Sequence, residues 1–243
     1  NIVKYYTPEL LNELIAHGHD MNLEMFLSLR MGNWGAEYPS DGAHRDSFLS
    51  AYPNLGCTDR FGKQMTPLSY IYPEVRRLIS DRFSKMAETD CDGVEMIWTR
   101  GVPYVLFEQS FCELFEARYG ENPRTLPVAD PRVHTLHCEI LTEFVRELRT
   151  RLDAERASRG QPPLKLIARV HSSLYVNRLL GLDVECWARE GLVDTVVVYP
   201  LTVHERLEGD VWADAEKRHI DLEKYRRFLE TTDAPPILRS ERY

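Results

Sequence analysis

A single carboxylate set inside an apolar strand constrains this chain more than any other feature. The stretch is Thr89 to Gly101, TDCDGVEMIWTRG, in which Asp92 and Gly93 open the run Val94, Glu95, Met96, Ile97 and Trp98. A run so short and so apolar is expected to form a parallel strand covered on both faces. Side chains alternate along a strand, so Glu95, Ile97 and Thr99 share one direction and Val94, Met96 and Trp98 the other. In a barrel strand the first set faces the lumen. A buried carboxylate without a partner costs several kcal/mol, so Glu95 is either one half of a structural ion pair or a working group.

The rest of the chain supplies neighbours for that strand. Thr7 and Pro8 cap and start a helix with the stripe Leu10, Leu11, Leu14 and Ile15, ending at Gly18. Met21 to Met31 reads as a strand, with Glu24, Phe26, Ser28 and Arg30 on one side. A long segment from Gly32 to about Thr66 follows, and its aromatics Trp34, Tyr38, Phe48, Tyr52 and Phe61 suggest an ordered flap. Pro73 opens a helix with the stripe Val75, Leu78, Ile79, Phe83 and Met86. After the central strand, a loop from Gly101 to Glu108 leads to a helix closed by Gly120. Asp130 and Pro131 start the longest helix, whose Arg- and Glu-rich far end is expected to be solvated.

Further strands are predicted at Lys165 to Val170 and Asp194 to Tyr199, with helical material from Leu174 to Gly191 interrupted at Gly181. A last helix is expected from Asp221 to Leu229, then a strand in the final residues that stops at Glu241. Alternating strands and helices mean parallel pairing with right-handed crossovers. Such a chain forms a doubly wound open sheet or part of a (β/α)8 TIM-type barrel. A nucleotide-binding doubly wound sheet carries a Gly-rich first turn, which this sequence lacks. Polar residues inside strands, Glu24, Arg30, Glu95 and Arg169, suit a barrel lumen. The expected fold is therefore α/β, a parallel TIM-type barrel forming a single domain over residues 1–243, incomplete because only four or five strands are read.

Composition narrows the partners. A net charge of -8 argues against nucleic acid or an anionic membrane surface, and no apolar run reaches the 18 residues of a membrane span. Cys57, Cys91, Cys112, Cys138 and Cys186 are widely spaced and odd in number, which favours free thiols. His134, His137 and Cys138 lie on one long helix, where 134 shares a face with 137 or 138, but no acidic ligand stands beside them, so neither metal nor cofactor is expected. The compartment is left open between cytoplasm and a secreted or periplasmic site, and oligomeric state is not legible.

Six motifs carry a likeness to a known family: SLRMGN (Ser28 to Asn33), LSYIYPEVRR (Leu68 to Arg77), DGVEMIWTR (Asp92 to Arg100), FEARYG (Phe115 to Gly120), LTEFVRELR (Leu141 to Arg149) and LDVECWAREGLVDTVV (Leu182 to Val197). In consistent order over about four fifths of the chain, they resemble the family-ten-like glycoside hydrolase barrels. The resemblance implies a (β/α) barrel running from before the third strand to about the seventh, with a sugar-processing role. The chain departs from the family pattern at Ile97, where the family tends to carry Asp.

Glycoside hydrolysis typically uses two carboxyl groups, about 5 to 5.5 Å apart for retention and roughly 6.5 to 9.5 Å for inversion. Glu95 and Glu241 are the catalytic candidates, each in a strand. Arg30, Arg100 and Arg169 fall near strand ends and are candidates to clamp a carboxylate or hydroxyl-rich ligand, or to neutralise Glu24 and Glu95. Trp34, Tyr70, Trp98 and Tyr199 offer aromatic faces for sugar rings, Asn33 stands in the SLRMGN motif, and His171 and His204 are candidate donors to hydroxyls. The expected function is a glycosidase acting on carbohydrate at the C-terminal mouth by carboxylate acid/base catalysis. A non-catalytic carbohydrate-binding barrel that has lost an acidic residue at Ile97 is the alternative, followed by a lyase or isomerase that uses the arginines for an anion.

Overall fold

The computed structural model describes residues 8–32, 54–127, 130–199 and the backbone of 237–240. Helix α1 (Pro8–Asp20) precedes strand β1 (Phe26–Arg30). Asn22, with φ of 59°, ends the helical path, so the strand is shorter than the Met21 to Met31 span expected from alternation. Strands β2 (Gly56–Thr58) and β3 (Gln64–Leu68) form an antiparallel hairpin within what the sequence suggested was only a flap. Its turn is built by Asp59, whose carboxylate accepts from the amides of Phe61 (2.9 Å) and Lys63 (2.8 Å). Helix α2 (Pro73–Ala87), strand β4 (Gly93–Ile97) and helix α3 (Gln109–Tyr119) follow, the last closed by left-handed Gly120.

Helix α4 (Pro131–Ser158) begins at Asp130, whose carboxylate accepts from the Arg132 amide. Strand β5 (Lys165–His171), the short helices α5 (Leu174–Leu179) and α6 (Val184–Arg189), strand β6 (Thr195–Tyr199) and strand β7 (Ile237–Ser240) complete the described elements. The expected helix at Asp221 to Leu229 lies outside the described residues.

The main sheet is parallel throughout, in the order β1, β4, β5, β6, β7. That order has no reversal, unlike a doubly wound sheet, where the strand order switches direction about its first strand. With right-handed crossovers, a sequential order puts the connecting helices on one face. Packing agrees. Val94, Met96, Leu166, Ala168, Val170, Val196 and Val198 join one apolar core with Ile79 and Phe83 of α2 and Leu141, Phe144 and Leu148 of α4. Ile167 and Val197 are also buried but point the other way and lie outside that core. Burying each such Val, Leu or Phe contributes about 1.5–3 kcal/mol, so the helical face is where the fold gains most.

Among the described residues the sheet does not close: β1 bonds only to β4, and β7 only to β6. What stands is an open, sequentially ordered parallel sheet, consistent with part of an α/β barrel. The far end of α4 also departs from expectation. Arg156 is buried and donates to the carbonyls of Pro162 (3.0 Å) and Thr89 (3.1 Å), and Arg149 pairs with Asp153 of the same helix and with Asp194 before β6. These arginines fasten the helix to the sheet rather than face only water.

Candidate functional site

The strand register sorts the face opposite the helices into rows. Phe26, Gly93 and Lys165 form the first, at the amino-terminal edge. Ser28, Glu95, Ile167 and Thr195 form the second. Arg30, Ile97, Arg169 and Val197 form the third, and His171 and Tyr199 the fourth. Glycine is required at 93, because a Cβ there would lie 2.4 Å from the Lys165 carbonyl and 2.7 Å from the Phe26 ring. At the other end, a Cβ on Gly32 would lie 1.9 Å from the Gly101 carbonyl, so the segments after β1 and β4 touch backbone to backbone.

Glu95 is the centre of this face. Its side chain is 6% exposed, and it does not turn toward the helical layer. Arg169 donates from Nε to Oε1 (2.9 Å) and from Nη2 to Oε2 (3.2 Å), a two-pronged pair, and the Ser28 hydroxyl donates to Oε2 (2.5 Å). Both carboxylate oxygens therefore accept, an arrangement suited to a base, a nucleophile or an ion-pair member rather than to a proton donor. The arginine is a quarter exposed and Ser28 is exposed, so the network borders solvent. Glu24, expected inside the strand, precedes β1 and pairs instead with Lys165 at the amino-terminal edge.

Arg30 is exposed and forms no ion pair among the described residues, and Arg100 is exposed after β4. Tyr199 and His171 are buried, at 5% and 1% exposure. The His171 main chain is clasped by Asn177, which accepts from its amide (3.0 Å) and donates to its carbonyl (2.9 Å). Burial pushes the imidazole pKa down to about 4 despite a hydrogen bond to the Trp98 backbone, so the ring is neutral near pH 7. His171 is thus enclosed rather than a residue at the rim.

Two aromatic candidates need correction. Trp98 continues the Val94 and Met96 side of its strand and is fully buried, with ring centroids 4.9 Å from Tyr104, 5.7 Å from Trp187 and 5.8 Å from Tyr70. Tyr70 is equally buried, 4.8 Å from Phe144, and donates its hydroxyl to the Met31 carbonyl (2.6 Å). Neither ring has a face for a sugar. Asn33, Trp34, His204 and Glu241 lie outside the described residues.

Sequence reasoning passed over Glu108. It precedes α3, is fully buried, and accepts from the amides of Thr58 (3.2 Å) and Leu106 (3.0 Å), clamping the segment after β4 to the hairpin. Burial pushes its carboxyl pKa up, with its hydrogen bonds pulling partly the other way. The sequence signal is faint: a lone Glu at a helix start among apolar residues. On α4, His137 donates to the Leu106 carbonyl (3.1 Å) and rests 4.5 Å from the Phe111 ring. Among the described residues no group of three His, Cys, Asp or Glu side chains is placed to hold a metal. A shallow depression of about 220 Å³, lined by Arg76, Arg77, Glu147 and Arg151, lies on the outer helical layer, away from Glu95.

No family model matches the sequence, and comparison with curated proteins gives no significant match. Solved structures do match. The chain is similar to the PgaB (BpsB) glycoside hydrolase domain from Bordetella bronchiseptica, with a TM-score of 0.54 at 14% identity over 96% of this chain and 75% of that one. It is more distantly similar to a putative sporulation-specific glycosylase from Bacillus subtilis (TM-score 0.46, 12% identity, 94% of this chain, 55% of that one). A chitinase-like agglutinin from Robinia pseudoacacia also matches (TM-score 0.40, 15% identity, 77% of this chain). The chain spans 39% of the length of that agglutinin. The Bordetella likeness, together with the sequential parallel sheet, identifies the fold as glycoside hydrolase-like.

Proposed function

We propose that this chain forms part of a glycoside hydrolase-like barrel domain, akin to the family-ten-like group, that acts on carbohydrate at the carboxy-terminal ends of its strands. The observation that carries the reading is the placement of Glu95. It is the one inward carboxylate of the described main-sheet strands, held by Ser28 and Arg169 on the face away from the helices. With both oxygens accepting, Glu95 serves as base or nucleophile, and Glu241 is the partner carboxylate.

Glu95→Gln is expected to abolish turnover of an activated aryl glycoside by the full chain. Loss of the charge opposite Arg169 is expected to cost about 1–3 kcal/mol of stability, read by urea unfolding. Turnover equal to that of the parent removes Glu95 from the chemistry.

A second reading, carbohydrate binding without turnover, is favoured by Ile97. The third row carries an apolar side chain on the central strand, and Glu95 stands one row deeper with its oxygens already engaged. Retention of a glycan by the parent chain without release of reducing ends selects this reading.

A further inference from the structure

Glu95 is held from both sides, and the two holders differ in kind. Ser28 on β1 is its direct register partner, whereas Arg169 on β5 pairs with Ile97, so the guanidinium reaches back one row to meet the carboxylate. Arg169 fixes the carboxylate plane through Nε to Oε1 (2.9 Å) and Nη2 to Oε2 (3.2 Å). It does so from the end of a long side chain with several rotatable bonds, a quarter exposed. Serine has a single heavy-atom torsion, and its hydroxyl donates to Oε2 at 2.5 Å, in the short range of a charge-assisted bond. The shorter tether therefore sets where the carboxylate stands.

That bond has little to do for stability. Glu95 already accepts two N–H groups from Arg169, so its charge is met without the serine. Ser28 is exposed, and water competes for its hydroxyl, which keeps the net worth of the bond for folding small. The geometry points to Ser28 as a positioning residue, whose hydroxyl aims Glu95 at the reacting bond while Arg169 meets its charge. The inference rests on the catalytic reading of Glu95 above and deepens it. A base or nucleophile works only within a narrow range of distance and angle, and an error of about 1 Å costs on the order of a hundredfold in rate. Without the serine, the terminal torsion of Glu95, broad for a carboxylate, is restrained from the β5 side alone.

The test is steady-state kinetics of the full chain, comparing Ser28→Val and Ser28→Thr on the para-nitrophenyl glycoside that the parent turns over fastest. The two replacements share one shape and both suit a strand, and only threonine carries the hydroxyl. Ser28→Val is expected to lower kcat about tenfold with KM within about twofold of the parent, and Ser28→Thr to recover most of that loss. Both are expected to melt with the parent, since Ser28 is exposed. Equal kcat in the parent and Ser28→Val, or equal losses in the two variants, overturns the positioning role and leaves Glu95 as the catalytic carboxylate. So does a rise in KM with kcat unchanged, which would make Ser28 a ligand contact. Turnover by Glu95→Gln equal to that of the parent, or no turnover by the parent, overturns this inference together with the reading it rests on.

Discussion

At the scale of single residues, buried titratable groups set how this chain responds to acid. His137 and His171 are both held neutral, burial pushing them to about 3 and about 4 from an ordinary value near 6.5. The unfolded chain protonates them below about pH 6.5, and the folded chain resists until well below that. Each therefore contributes stability that is whole above pH 6.5 and drains away as the pH falls, on the order of 3 kcal/mol apiece by pH 4. Glu108 runs in the opposite sense, because its raised carboxyl favours the protonated folded form, so single variants isolate the histidines better than the parent curve does. His137→Gln, which keeps a donor for the Leu106 carbonyl, is expected to flatten the fall in unfolding free energy between pH 7 and pH 4 by about 3 kcal/mol. Urea titrations at the two pH values read this directly. Parallel slopes for parent and variant would mean that His137 is not held neutral by its burial.

At the scale of elements, β4 shows how much a short run of sequence specifies. Its alternation was legible: Glu95 shares with Ile97 the face away from the helices, and Val94 and Met96 meet the helices. Carrying the same alternation one residue further puts Trp98 in the core, where it packs on Tyr104 and Trp187. The aromatic type of Trp98 and Tyr70 suggested sugar stacking, but type alone does not say which face a ring occupies. The β2–β3 hairpin was hidden because its first strand is three residues long and its turn relies on the Asp59 side chain. The clamp at Glu108 depends on contacts across fifty residues of sequence, which periodicity does not record. Gly93 tests the local logic of β4. Gly93→Ala drives a methyl into the Lys165 carbonyl and the Phe26 ring, and is expected to cost about 1–3 kcal/mol. Adding Phe26→Ala relieves the ring contact but not the carbonyl one, so the double variant should show partial coupling in a thermodynamic cycle. A Gly93→Ala protein as stable as the parent would contradict the close approach of β4 to its neighbours.

At the scale of the whole molecule, chain order and packing together explain why the described helices gather on one face of the sheet. Parallel pairing was readable from alternating strands and helices, whereas the sequential order β1, β4, β5, β6, β7 is a property of long-range pairing alone. That order sends the helices to one side, and α2 and α4 pack there on the centre of the sheet. Stability should then grade outward. Strands β4 and β5 have a bonded neighbour on each side and bury their helix-facing residues completely. Strand β1 has one neighbour among the described residues, and its Ser28 and Arg30 are exposed. Amide hydrogen exchange is expected to be slowest at Val94 to Met96 and Leu166 to Val170, with opening free energies near the global value, and faster along Phe26 to Arg30. Leu10, Leu14, Met21 and Leu23, exposed on and just after α1, add to that gradient by leaving the β1 side less apolar burial than the centre. If β1 exchanged as slowly as β4, a further partner would have to cover its outer edge, and the open sheet would not describe the chain in solution.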